Sequence, residues 1–323
     1  MVNIFAPATI KERRQYYREE WSEKDLPNFI SEELYKREFG FDHYGKGPND
    51  RYKVFKNKDS LKKFMRIKAP FAGYVSVAFY NNPQRRGDWI KSEFVFDVDA
   101  KDMPIRSCNC ESVCKICLGE ALEFVQLLID TLKTDLGIKN IHLIYSGRGY
   151  HVRILDPAIM ETESELRGEV VKYVVGANVP ENSISLGYTN LFNRRVKRNI
   201  FHLTGHETLD GINSKLLKDT IKHRDLLKDN SWGLFKGQIG PIRYKNLLAG
   251  MARVNLSMVD AKVSIDLKRI LRLPSSLHSK VSMKCVEVKN PETFDPFKYA
   301  VPKFVHEREE KNKENVNENK KEK

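Results

Sequence analysis

The spacing of apolar and polar residues divides the chain into stretches of different period. The first forty residues repeat at helical spacing and predict two helices. One covers residues 9–23, is strongly charged, carries Tyr16, Tyr17 and Trp21, and is broken by Pro27. The other starts at Ser31, an N-cap residue followed by Glu32 and Glu33, and closes at Gly40. Residues 51–80 and 93–99 read as β, with 73–80 the clearest strand and 81–88 a turn. Within 93–99 the period is two: Phe94, Phe96 and Val98 face one side, and Val95, Asp97 and Asp99 the other.

Further on, apolar residues at 118, 121, 122, 125, 128, 129, 132 and 136 predict a helix that stops at Gly137. Residues 141–145 and 150–154 are two short strands around the turn Ser146-Gly-Arg-Gly149. From about 160 to 232 the pattern becomes helical with polar connections. Helices are expected again over 241–256 and 263–271, the last stopped by Pro274. Beyond Pro302 apolar residues nearly vanish, and the Lys/Glu/Asn composition predicts disorder. No internal repeat is visible.

Composition changes this picture in two respects. The 323 residues, 41% hydrophobic and 31% charged, describe a globular protein with ample core. No apolar run approaches the roughly 20 residues of a membrane span. The first residues lack the basic start and apolar stretch of a signal peptide, so an intracellular protein is expected. The second point is charge. Residues 307–323 carry six basic and six acidic side chains, so the whole net charge of +13 lies in the body before them. A body this basic suits a polyanionic partner, through phosphate neutralisation and counterion release. Solubility alone is the plainer reading of the same charge.

Four groups of residues carry candidate chemistry. Asp97 and Asp99 are about 6.6 Å apart along one strand face, and like charges so placed repel. They are either a solvated strand end or ligands of a divalent metal pair. Four of the five cysteines, Cys108, Cys110, Cys114 and Cys117, fall within ten residues. That suits a closed structural zinc site, with a redox set as the alternative and a nearby His as a substitute for Cys110. Cys285 stands alone and reads as a core residue. In Ser146-Gly-Arg-Gly-Tyr-His151 two glycines allow close backbone approach to an anion, and Arg148 offers bidentate charge; an ordinary hairpin turn is the rival reading. The last group joins Asp260, a basic stretch with Lys268, Arg269 and Arg272, and His278 and Lys280 beyond Pro274. It supplies another acid and more cations of the kind a phosphoryl-transfer site uses.

Phe-Asp-Val-Asp, a cysteine cluster about ten residues later, Ser-Gly-Arg-Gly-Tyr-His, and Asp…Arg-Leu-Pro-Ser-Ser-Leu-His occur in this order along the chain. Together they resemble the catalytic small subunit of the archaeo-eukaryotic DNA primases, over roughly residues 30–300. The short Ser-Gly-Arg-Gly form and the Lys/Asn/Glu-rich composition are closer to archaeal members. The resemblance implies that Asp97, Asp99 and Asp260 hold Mg²⁺ or Mn²⁺, with Asp266 the rival for the third position. It implies that Ser146, Arg148 and His151, with Arg272 and His278, hold the phosphates of an incoming nucleoside triphosphate, and that Arg51 contacts the nucleotide. Cys108, Cys110, Cys114 and Cys117 would form the zinc knob.

The expected fold is α/β (α+β): a mixed, largely antiparallel catalytic sheet flanked by helices, with a zinc knob and a helical insertion. Residues 1–160 and 233–305 would form the catalytic domain, with the knob at about 106–118. Residues 161–232 would form the insertion and 306–323 a disordered tail. The expected activity is template-directed synthesis of short RNA primers, DNA primers remaining open, by two-metal phosphoryl transfer. Expected partners are a large regulatory subunit in a heterodimer, a single-stranded DNA template and nucleoside triphosphates. The setting would be the cytoplasm of an archaeal-type cell, at the nucleoid. A repair primase-polymerase and a zinc-containing nucleic-acid-binding module are the alternatives.

Overall fold

The structure is a computed structural model that describes residues 5–181 and 186–321. Residues 1–4, part of the signal-peptide reading, and 322–323, the end of the predicted tail, lie outside the described residues. The strands are β1 (Phe39–Asp42), β2 (Asp50–Lys53), β3 (Ala72–Ser76), β4 (Ala78–Asn82), β5 (Gly87–Ser92) and β6 (Phe94–Asp99). They continue with β7 (Ile141–Tyr145), β8 (Gly149–Ile154), β9 (Ile270–Arg272) and β10 (Val286–Glu287). The chain divides into two compact units, one of residues 1–95, 140–161 and 266–323, the other of residues 96–139 and 162–265.

The first unit is built on antiparallel ladders. β1 pairs with β2 and β3, and β3 pairs with β9. β7 pairs with β8 and β10, while β4 and β5 form a hairpin of their own. Phe39, Phe41, Phe55 and Phe64 pack edge-on or tilted at 4.4–6.0 Å between the first sheet and helix Lys58–Lys68. Residues 73–80, expected as one strand, are two. Chain direction changes at Val77, where Ser76 Oγ takes the Glu38 N–H and donates to the Ala78 carbonyl.

Other expectations are corrected as well. Helix Lys58–Lys68 replaces β texture, because Leu61, Phe64 and Met65 repeat at helical spacing behind an Asn57–Ser60 capping box. Helix Ile10–Gln15, capped by Thr9 and Glu12, widens into a π turn over Tyr16–Glu20 and ends at Trp21, two residues short of the expected 23. Ser31 ends the short helix Asn28–Ser31 instead of starting one. The helix expected over 263–271 stops at Ile265. Asp266 then receives the Lys268 N–H in a local turn, and residues 270–272 satisfy their backbone groups against the edge of β3. Residues 303–321 are helical where composition predicts disorder, and Arg308 on that helix is paired with Glu12 at 2.6 Å.

Glu93, just before β6, is the buried electrostatic centre of the first unit. It meets Arg37 Nη2 and Arg153 Nε, each at 2.6 Å, with all three side chains fully buried. Burial alone would raise the Glu93 pKa, but Arg153 and Arg37 hold it below the ordinary carboxylate value.

The second unit is mostly helical. Helix Lys115–Thr134 follows the cysteines, much as its period predicts. Helices Gly187–His202, Ser214–His223, Trp232–Ile239 and Pro241–Ser257 enclose a core that includes Ile105, Phe192, Val196, Leu247 and Met251, and helix Ser164–Val175 belongs to the same unit. The end of β6 belongs to this unit as well.

Replacing Glu93 by Ala leaves two buried guanidinium groups without their carboxylate. Denaturant unfolding should show a loss of about 3–5 kcal/mol, the cost of breaking a buried ion pair from one side. A loss below about 1 kcal/mol would mean the triad is solvated.

Candidate active site

The second unit brings the three acids together. Asp97, Asp99 and Asp260 line one cavity of about 320 Å³, with Asp102, Ser257, Met258 and Val259. β6 alternates as its sequence does: Phe96 and Val98 are buried, whereas Asp97 and Asp99 reach solvent. The Asp260 N–H donates to the Asp97 carbonyl at 3.0 Å, joining residues 163 positions apart. Asp260 itself leads helix Ala261–Ile265 and takes the Lys262 N–H at 3.1 Å. Asp266, the rival, is occupied in its own turn with Lys268. A set of carboxylates around a cavity suits hard cations such as Mg²⁺ or Mn²⁺. Asp102 was not singled out from sequence; its three-residue spacing from Asp99 was the available signal.

In the same unit the Sγ atoms of Cys108, Cys110, Cys114 and Cys117 lie within 4.8 Å of one another. Three separations are 3.6 Å (Cys108–Cys110), 3.7 Å (Cys110–Cys117) and 3.9 Å (Cys114–Cys117). A tetrahedron with zinc–sulfur bonds of about 2.3 Å has edges of about 3.8 Å, so the cluster can hold such an ion. Cys114 caps helix Lys115–Thr134 and gives its N–H to Cys117 Sγ at 3.2 Å, so two sulfurs sit at a helix N-terminus; the Cys114 pKa is lowered there, whereas burial pushes the Cys117 thiol up. His202 does not replace Cys110. Its ring is held by Glu120 and Glu123 at 3.3 and 2.8 Å, and these two carboxylates raise its pKa to about 9.

The first unit gathers cations. The turn after β7 closes with the Ser146 N–H on the Gly149 carbonyl, and Tyr145 Oη donates to the Gly147 carbonyl at 2.7 Å. Gly147 has φ +107°, and a Cβ there would stand 2.5 Å from the Cβ of His278. Only glycine lets the turn lie against that histidine. Burial first, then the charges of Arg272, Arg148, Lys280 and His151, push the His278 pKa well below the usual imidazole value. The neutral form of the ring is thereby favoured. Its Nδ1 accepts the Lys280 N–H at 3.1 Å, which leaves Nε2 as the protonated nitrogen and a donor.

Arg272 sits on β9 opposite Tyr74, its guanidinium 5.0 Å from that ring. Its Nη1 is buried and has no hydrogen-bond partner among the described residues. A neutral donor ringed by cations, with an unsatisfied guanidinium nitrogen beside it, is an anion-binding arrangement. Ser146, Arg148, His151, Arg272 and His278 thus belong to one neighbourhood. Arg51 is engaged elsewhere: its Nε and Nη2 meet the buried carboxylate of Glu38 at 2.9 and 2.8 Å, and Arg86 Nε takes the other oxygen.

Sequence reasoning missed the residues that hold the His278 loop. Tyr16 Oη donates to the Ser275 carbonyl, Trp21 Nε1 to Ser275 Oγ, and Tyr17 Oη receives the Leu277 N–H. The three aromatics were visible as an unusually dense group in a charged segment, but nothing in the sequence says what they touch.

These features define a mixed α/β protein of antiparallel sheets flanked by helices, with a four-thiol cluster able to hold a metal. Residues 96–289 match the family model described as DNA primase small subunit. The chain is 65% identical to the DNA primase small subunit PriS of Methanobrevibacter smithii, over 95% of this chain and 100% of that one. It is 53% identical to PriS of Methanothermobacter thermautotrophicus, over 96% and 100% of the two chains. With PriS of Thermococcus kodakarensis the identity is 40%, over 96% and 97%. The chain belongs to the DNA primase small subunit family.

Gly147→Ala would force both a left-handed backbone on a residue with a Cβ and a collision with His278. The expected cost is about 1–3 kcal/mol, read as a lower denaturant midpoint. An unchanged midpoint would show that turn and histidine are not in contact.

Proposed function

We propose that the chain is the catalytic subunit of a primase, which copies single-stranded DNA into short RNA primers, with DNA primers an open extension, for DNA replication. The reading rests on one observation above the others: Asp97, Asp99 and Asp260 line one cavity, and the Asp260 backbone is bonded to that of Asp97. Mg²⁺ or Mn²⁺ held by these carboxylates would lower the pKa of the attacking 3′-hydroxyl and neutralise charge on the leaving pyrophosphate. Arg148, His151 and Arg272 would neutralise and orient the triphosphate, and the Ser146 hydroxyl would add a hydrogen bond. His278 would donate a hydrogen bond to the triphosphate from Nε2. Arg51, fixed by Glu38, would present the rest of its guanidinium to the nucleotide. Much of the acceleration would come from positioning and fixed charge.

The four thiolates would hold Zn²⁺ in a structural role. A small subunit of this family is expected to act with a large subunit, and we infer a heterodimer in which that partner regulates initiation. No helix among the described residues is long and apolar enough to cross a membrane. We place the enzyme in the cytoplasm, at the nucleoid.

Asp97→Asn and Asp99→Asn should each abolish nucleotide incorporation on a single-stranded template while leaving the melting temperature within a few degrees of the parent. Synthesis retained in either variant would sink the assignment. Zinc should behave differently. Stripping it with a competing chelator should release about one ion per chain and lower the melting temperature, as for a closed tetrahedral site. A zinc-free chain that melts unchanged would remove the structural role.

A further inference from the structure

The helical unit holds a second cavity, of about 780 Å³, whose lining includes residues from helices Gly187–His202 and Lys115–Thr134 and from residues 230–232. Its long wall is one face of the first helix. Asn190, Asn193, Arg194, Lys197, Phe201 and His202 recur at three- and four-residue spacing, and each lines the cavity. Trp232 lies opposite with Asn230. Phe201 and Trp232 rest partly against the core, but the amides and cations of this helix face stay out of it. The burial partners of the helix are on the other side, where Phe192, Val196 and Ile200 enter the core.

Much of the chain's positive charge lies in the segment that supplies this wall. Residues 187–257 carry thirteen basic side chains against five acidic ones, an excess of eight out of the +13 of the whole protein. Acids do reach the cavity: Arg194 meets Asp130 at 2.9 Å, and Glu123 serves both Arg198 and His202. His202 stays protonated at neutral pH, so the lining keeps four cations against Glu123. Lys197 spends two of its three N–H groups on the Lys228 carbonyl and Asn230 Oδ1, which aims the ammonium and leaves one donor.

We propose that this cavity binds single-stranded nucleic acid, with Arg194 and Lys197 on its phosphates and Trp232 against a base. Cations that track a backbone beside aromatic faces are what sequence-tolerant single-strand binding requires, and asparagine amides can both donate to and accept from base edges. An acidic peptide would use the cations but not the rings and amides, which is why the polynucleotide is favoured. The inference rests on the reading of the chain as an enzyme acting on nucleic acid, and adds to it a contact outside the carboxylate cavity.

The test is fluorescence anisotropy of the full chain with a labelled oligothymidylate of about 20 nucleotides, longer than a single-strand site, across a salt series. For Arg194→Gln combined with Lys197→Gln, affinity should fall roughly tenfold. The slope of log K against log salt should flatten by about 1.4, two phosphate contacts at about 0.7 each. Trp232→Leu should weaken binding with the slope unchanged, because a stacked base releases no counterion. Parental affinity and slope in the double variant would overturn the proposal, even if Trp232→Leu unfolds. So would loss of binding to the large subunit with oligonucleotide affinity intact. A parent protein that binds no oligonucleotide would overturn the primase reading itself, which separates the two failures.

Discussion

One hydrogen bond, from the Asp260 N–H to the Asp97 carbonyl, fixes the geometry on which the carboxylate cavity depends. A direct backbone bond brings the two residues close enough for their side chains to line one small cavity. Its own contribution to stability is about 1 kcal/mol. That is less than the burial of a single core leucine, at about 1.5–3 kcal/mol. The bond therefore sets register rather than holding the unit together. Position comes from helix Pro241–Ser257, whose Leu247, Met251 and Val254 enter the core and deliver Asp260 just beyond its end. Three carboxylates lining one cavity make a set of hard oxygen donors of the kind a divalent cation takes.

The cationic neighbourhood of the other unit follows the same logic with the sign reversed. The neutral form of His278 is favoured by burial and by surrounding positive charge, and its loop is tied down by Tyr16, Tyr17 and Trp21. The turn at Gly147 can lie against it only because that residue lacks a Cβ. Like charges are again brought together by packing that is indifferent to them. Each unit thus holds its set of like-charged side chains in place largely through apolar and aromatic contacts.

Much of this was legible along the chain where chemistry and period agree locally. The alternation of 94–99, the helix after the cysteines, and the two strands around Ser146–Gly149 depend on neighbours a few residues apart, and the structure has all of them. The cysteine cluster is equally local. Misreadings arose where a distant partner decided the outcome. Residues 270–272 have a helical pattern, yet the open edge of β3 offers them backbone bonds a helix turn could not match. Residues 73–80 have an unbroken strand pattern, yet Ser76 and Glu38 bend them into two strands. Helix Lys58–Lys68 is a different kind of miss, since its capping box and apolar spacing were present in the sequence.

By itself, then, the sequence determined residue types, spacings and local periods: an acidic strand end, a tetrahedral set of thiols, a glycine turn beside arginine, and an excess of charge before residue 307. Those properties act over one turn of helix or a few residues of strand. Tertiary structure brought Asp260, the acid the resemblance favours over Asp266, into the cavity of Asp97 and Asp99. It also decided that the neutral form of His278 is favoured and that Arg51 answers to Glu38. Each of these depends on which backbone passes within hydrogen-bond reach of which other, and on how much water the packing removes, and neither quantity is a property of any one segment.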